Sequence, residues 1–290
     1  MSLAREIFGD ESVLFIDTIR TLIPKLTGSS PDFFESASEY YWKKSEADGL
    51  FCYWTELFGR AYIAAAAGLI RHNQWIVGIE SCYHTHSYLG LCGCLRGLIE
   101  STADAMYTLE CFLPTVTPIW SELDSVFSGR PVSRPIIAKE LEDNLIHFVF
   151  ARHVKKGELV PDGHRALQNR DYIDTIRKAD PSLEAMYCSL VEIVHPAKDS
   201  VHWMLQYEQK DTHWKVSLNA GDEAGTAICK ILDSNKSALF HLVMLSCNYS
   251  LITLKGIRAM NIKGLDLSFM DQVDLSNIPA WNDFEKHIKC

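Results

Sequence analysis

The stretch from Glu80 to Phe112 constrains the fold most, because it runs without Pro and repeats its apolar residues at helical spacing. Leu91, Leu95, Leu98, Thr102, Ala105 and Leu109 fall on one side, the pattern of a helix with one face in a core. Beside that face Arg96 and Glu100 are i,i+4 neighbours, and Gly90, Gly93, Gly97 and Ser101 form a nearly bare stripe. A Gly costs about 1 kcal/mol relative to Ala in a helix interior. Several on one face therefore point to a backbone or ligand drawn close, with a helix break near Gly90 as the alternative. The charged pair has two readings: on a surface it contributes about 0.3 to 0.5 kcal/mol, whereas in a core its desolvation opposes it and its retention implies specificity or chemistry.

The 290 residues, 47% of them apolar, are read as one all-helical domain over 1–290 with its core at about 50–260. A net charge of −9 disfavours a broad nucleic-acid footprint and leaves a local basic patch at Arg152, His153, Lys155 and Lys156. The nine Cys residues stand in apolar context with no CxxC pair and no secretory leader read upstream. Reduced thiols in a cytoplasm are expected, and no structural zinc site. The run Tyr62 to Ile70 falls short of the roughly 20 residues a bilayer needs. Ser237 to Leu254 is long enough, but His241, Asn248 and several Ser residues mark it as a buried core helix, so no membrane partner is expected.

Along the chain, Glu11 to Leu26 has helical period and Gly28 to Pro31 ends it. A short aromatic helix is expected over Phe33 to Trp42, and a long one over Leu50 to Asn73 that closes on Arg71, His72 and Asn73, where cations complement the helix dipole. Residues 113–135 read as an insertion opened by Pro114 and Pro118. Helices follow over Ile136 to His153 and Asp162 to Lys178. Asp180 and Pro181 then read as N-cap and first position of a helix over Ser182 to His195, which Pro196 stops. Trp203 to Tyr207 and His213 to Leu218 alternate as a small hairpin within 203–218. A final long helix is expected from an Asp222 cap to about Met260, then a loosely packed tail over 264–290. The fold class expected is all-α: a helical bundle of four long core helices, accessory helices and one β-hairpin.

Signatures for nucleotide loops, zinc proteases and serine hydrolases are absent. His84 and His86 form an HxH pair, which on a helix diverges too far to share a metal. No ExxH pair serves a di-metal bundle, so neither metal nor other cofactor is expected. What remains is a polar constellation: Arg96 and Glu100 on the central helix, Tyr187 and His195 on the later one. If the two faces meet, Arg96 supplies a forked cation for a phosphate or carboxylate and Glu100 orients it. Tyr187 then offers a hydrogen-bond donor. His195, at a helix end whose dipole favours the charged ring, offers a proton-transfer group.

The segment CLRGLIESTADAMYTLECF, with the later YCSLVEIVHPAKDS, resembles an uncharacterised group of bacterial all-helical proteins that pair an Arg-x-x-x-Glu helix with a Tyr…His-Pro helix. That group is distantly similar to HEPN (higher eukaryotes and prokaryotes nucleotide-binding) domains of toxin and abortive-infection systems. The resemblance covers roughly Leu50 to Trp203 and rests on Arg96, Glu100, Tyr187, His195 and Pro196. It implies a helical bundle, often dimeric, and metal-independent RNA cleavage in which Arg and His assist attack by a 2′-hydroxyl. The chain departs from the nuclease pattern, in which His follows Arg by a fixed short spacing on one helix; His147 and Arg152 stand in the reverse order.

Three functional readings follow. The first is a HEPN-related protein handling RNA or nucleotides, in its catalytic form a defence-associated endoribonuclease. The second is a non-catalytic interaction module, binding a protein partner or a second copy of itself, in which Arg96 and Glu100 fix helix register. The third is a small-ligand pocket in the bundle core beside the Gly stripe.

Overall fold

In a computed structural model describing residues 2–27, 31, 38–161, 163–196 and 198–288, the chain is all-α with one small β-hairpin. The helices run α1 (Leu3–Phe8), α2 (Asp10–Leu26), α3 (Ser38–Lys44), α4 (Glu46–His84), α5 (Tyr88–Leu109), α6 (Phe112–Val116), α7 (Trp120–Phe127), α8 (Lys139–Phe150), α9 (Asn169–Ala179), α10 (Pro181–Val194) and α11 (Lys198–His202). The hairpin of β1 (Leu205–Gln209) and β2 (Trp214–Leu218) follows, then α12 (Ala220–Ser234), α13 (Lys236–Met260) and α14 (Pro279–Ile288). The expected chain ending at Gly28 to Ser30 and the first part of the expected aromatic helix lie outside the described residues, as does the Asp222 side chain.

The residues group into two compact units that alternate along the chain: 1–20, 70–103 and 169–246 in one, 21–69, 104–168 and 247–290 in the other. In the second, Trp54 is fully buried and its indole N–H donates to the Ile136 carbonyl at 3.0 Å. Phe58 meets Phe112 and Phe127 edge to face, with centroids 5.8 and 5.7 Å apart. The C-terminal segment, expected to pack loosely, is held within this unit. Leu267, Met270, Trp281 and Phe284 are buried, and the Phe284 ring lies 5.1 Å from Trp120.

The first unit carries the stretch that the sequence singled out as far as Ala103. Leu91, Leu95, Leu98 and Thr102 are all fully buried on the expected face of α5. The chain breaks at residues 85–87, three residues before Gly90, and α5 starts after the break. Its glycines are explained by α4 lying against it. A Cβ added at Gly97 would meet the Trp75 ring at 2.6 Å, and one at Gly90 would meet the Cys82 sulfur at 2.9 Å. At Gly93 an added Cβ meets nothing within 4 Å. The stripe thus serves helix packing at Gly90 and Gly97, and Gly93 faces open space.

Several helix boundaries differ from the sequence expectation: α9 starts at Asn169 rather than at residue 162, the 113–135 insertion holds α7, and two long helices differ in where they end. The helix expected to close on Arg71, His72 and Asn73 continues to His84, because those polar residues find places inside the unit and Ile76 and Ile79 extend the buried stripe. Arg71 Nε donates to Ser101 Oγ at 2.8 Å, and Asn73 Oδ1 accepts from Arg20 Nε at 3.4 Å. His72 occupies a core position with no exposure, and neither ring nitrogen has a hydrogen-bond partner. Its pKa falls to about 4, chiefly through burial; the Ser101 and Ser246 backbones oppose the fall without completing a hydrogen bond, and the Arg71 charge adds to it. The final helix, expected to be continuous, divides at Asn235, whose amide caps the Ile231 carbonyl at 2.8 Å while its own carbonyl starts α13. The backbone places residue 222 inside α12, and Asn219 holds the N-cap position. Of the apolar window in α13 long enough to be considered for a bilayer, 61% is buried in the protein.

Gly97→Ala is expected to lower the unfolding free energy by about 1 kcal/mol, since overpacking against Trp75 outweighs the propensity gained. Gly93→Ala, with room for its methyl, is expected to raise it by about 0.5 to 1 kcal/mol; urea unfolding of both variants checks the contrast. His72 sets a pH dependence. Its folded-state pKa lies below the ordinary 6.5, so the unfolded chain takes up the proton first. The neutral ring's contribution is complete above pH 6.5, declines as pH falls, and levels off near 4. His72→Met is expected to remove that slope when wild type and variant are unfolded across the same pH series.

Candidate functional site

Three helices of the first unit supply the site. On α5, Arg96 and Glu100 are one turn apart on the side turned from the Leu91, Leu95 and Leu98 core, so they stay partly open to water. Their side chains are 21% and 34% exposed. Helix α10 begins at Asp180, whose carboxylate accepts from the Ser182 N–H at 2.8 Å, with Pro181 in the first turn. That start is also tied to α13, since His241 Nδ1 lies 2.5 Å from Asp180 Oδ2. Burial would raise the Asp180 carboxyl, but the Ser182 and His241 contacts more than offset it and the net shift is downward. From this anchored start, Tyr187 projects from mid-helix, and His195 stands at the C-cap, its N–H donating to the Val191 carbonyl at 3.0 Å. Pro196 follows and the helix goes no further.

The structure brings Arg96, Glu100, Tyr187 and His195 together. Glu100 Oε1 accepts from Arg96 Nε at 2.9 Å and from the Tyr187 hydroxyl at 2.9 Å. The same oxygen accepts a third hydrogen bond, from Asn169 Nδ2 at 3.2 Å. Arg96 Nη1 lies 3.4 Å from His195 Nε2, and the guanidinium carbon is 5.7 Å from the centre of the Tyr187 ring. An Arg N–H can only donate, so Nε2 is the acceptor side of this contact. The imidazole itself is exposed.

These contacts separate the roles. With three donors on one oxygen, Glu100 is a positioning carboxylate and Tyr187 is committed to it. Burial raises the Tyr187 pKa and Glu100 raises it further, so the hydroxyl keeps its proton as a donor. For Arg96, partial burial alone would favour the neutral form; the hydrogen bond and charge of Glu100 exceed that effect, and the net shift is upward. The guanidinium is thereby a fixed cation with N–H groups beyond those used on Glu100 and His195. Together, Arg96 and His195 form the water-facing edge of the cluster.

Asn169 was not expected from sequence. An Asn at the start of a polar helix is ordinary, and the signal lies only in the packing of α9 beside α5. The sequence also singled out an HxH pair and a basic patch. Helix α4 ends at His84, while His86 sits in the following turn with φ of 54°. Arg152 of the basic patch pairs with Glu158, in the other unit. Among the described residues no group of three or more His, Cys, Asp or Glu side chains is placed to share a metal ion.

No protein-family model, curated protein or solved structure matches this chain.

Tyr187→Phe deletes one of the three donors to Glu100 and is expected to cost about 1 kcal/mol of stability. In a double-mutant cycle with Glu100→Gln, a coupling energy of at least about 0.5 kcal/mol by urea unfolding is expected for groups in one network. Additive losses would mean that the hydroxyl and carboxylate do not act together.

Proposed function

We propose that this chain is a HEPN-related protein that handles RNA or nucleotides, with metal-independent endoribonucleolytic cleavage as its catalytic form. The observation that carries the proposal is the Arg96 to His195 contact of 3.4 Å on an exposed edge. The nuclease pattern sets Arg and His on one helix, whereas here α5 brings the Arg and the end of α10 brings the His. An Arg and a His adjacent across two helices support the reading, although the spacing along one helix is missing. In this reading Arg96 holds a phosphodiester oxygen and offsets the charge that builds on phosphorus. His195 takes the proton from the attacking 2′-hydroxyl or returns one to the leaving oxygen. Glu100, held by Tyr187 and Asn169, keeps the guanidinium aimed.

A second reading, a non-catalytic module that binds protein, is favoured by the hairpin. Its register pairs Leu205 with Leu218, Tyr207 with Val216 and Gln209 with Trp214, so one face is almost wholly apolar. Tyr207, Trp214, Val216 and Leu218 are each half exposed or more. An isolated two-stranded hairpin is marginal in water, and a partner laid on this face would stabilise it.

The readings part in one experiment. Purified protein, in excess over a mixed-sequence oligoribonucleotide and with EDTA present, is expected to cleave it. His195→Ala is expected to lower the rate by about 100-fold or more, and Arg96→Met to weaken binding of the uncleaved RNA. Binding without cleavage retains RNA handling and removes the nuclease activity. RNA left intact and unbound at low salt removes the first reading and leaves the hairpin-centred one.

A further inference from the structure

Two cysteines of the first unit face each other across the α4 and α5 pair. Cys82 and Gly78 are one turn apart on α4; Gly90 and Cys94 are one turn apart on α5. The packing is reciprocal. A Cβ added at Gly90 would lie 2.9 Å from the Cys82 sulfur, and one added at Gly78 would lie 3.0 Å from the Cys94 sulfur. Each sulfur therefore occupies the space left by the other helix's glycine, in the layer between the two helices. Both residues are partly exposed, unlike the fully buried Cys92. Burial first, and then the Cys82 thiol, pushes the Cys94 pKa up to about 11, which leaves Cys94 little thiolate near neutral pH.

We propose that Cys82 and Cys94 are a dithiol modification site, oxidised to an intramolecular disulfide by small-molecule disulfides of the glutathione class. The Cys82 thiolate attacks one sulfur of the oxidant; a mixed disulfide forms and the first small thiolate departs, taking up a proton. The Cys94 sulfur, as its proton leaves to solvent, then attacks the Cys82 sulfur and displaces the second small thiolate, which is protonated in turn. Two protein thiols are oxidised and one small disulfide is reduced to two thiols. The bond staples α4 to α5 across the turn at residues 85–87, and Cys94 precedes Arg96 by two residues, so oxidation bears on the helix that carries the guanidinium. The proposal stands on the reciprocal seating of each sulfur against the other helix's glycine and is independent of whether the protein handles RNA.

The test uses the full chain, reduced, freed of reductant and incubated with oxidised glutathione in mildly alkaline buffer. Chymotryptic peptides are then mapped without reduction, since cleavage at Tyr83 and Tyr88 separates the two cysteines. The expected product is a crosslinked peptide pair lighter by two hydrogens than its parts, formed equally in Cys92→Ala and absent in Cys94→Ser. The exposed Cys188 and Cys229 report in the same digest that the oxidant acted. Glutathione carried separately on Cys82 or Cys94, both found free beside modified Cys188 and Cys229, or a Cys82 to Cys92 bond would overturn the assignment.

Discussion

The close approach of α4 to α5 is the constraint on which the site depends. Where Gly97 meets the Trp75 ring and Gly90 meets the Cys82 sulfur, a methyl group would force the helices apart. The glycines oppose helix formation locally, and burial of Leu91, Leu95, Leu98 and Ile99 offsets that, since a fully buried aliphatic side chain contributes about 1.5 to 3 kcal/mol. The register so fixed decides which way α5 turns its polar residues. With the leucine stripe committed to the core, Arg96 and Glu100 must point out along the side where α9 and α10 pack.

From there the site is organised by one carboxylate oxygen. Three donors from three helices converge on Glu100 Oε1, which locks the side chain and, through it, the guanidinium. A single i,i+4 pair on an open surface would contribute little beyond helix stability. Tertiary donors change its role, because Tyr187 and Asn169 hold the carboxylate where α5 alone would let it swing. The hydrogen bonds that anchor α10 at Asp180 therefore matter at a distance: they set the helix that delivers both Tyr187 and His195.

Periodicity and capping signals made the helices legible, and they did so where the physics is local. The buried face of α5 follows from spacing, and α10 follows from Asp180, Pro181 and Pro196. The hairpin strands follow from their alternation. Where a polar residue plays a tertiary part, the same reading fails: Arg71, His72 and Asn73 look like a helix end, yet one donates to Ser101, one fills a core position and one accepts from Arg20. Asn235 sits in a short polar run, Asp233 to Ser237, that also suits the water-facing side of a continuous helix, so it gave too little signal to divide α12 from α13. For the site, the residue types and the two helices were legible, but their convergence was not, since it rests on packing between segments about a hundred positions apart. Asn169 had no local signature at all.

The partial exposure of the Arg96 and Glu100 pair is what the proposed ligand-binding reading draws on. Fully buried, the pair would carry a desolvation cost of several kcal/mol per ion with no room for an anion to enter. Fully exposed, it would be screened and mobile. At 21% and 34% exposure the guanidinium is stripped of part of its water and held by Glu100, while an edge stays open beside His195. An arriving phosphate would displace the remaining water from a cation whose geometry is already set, so little further ordering of Arg96 opposes binding. At 3.4 Å the contact between Arg96 and His195 is a weak one. On the reading proposed for this edge, an anion drawing the guanidinium toward itself would loosen that contact and leave the ring nitrogen open to the ligand.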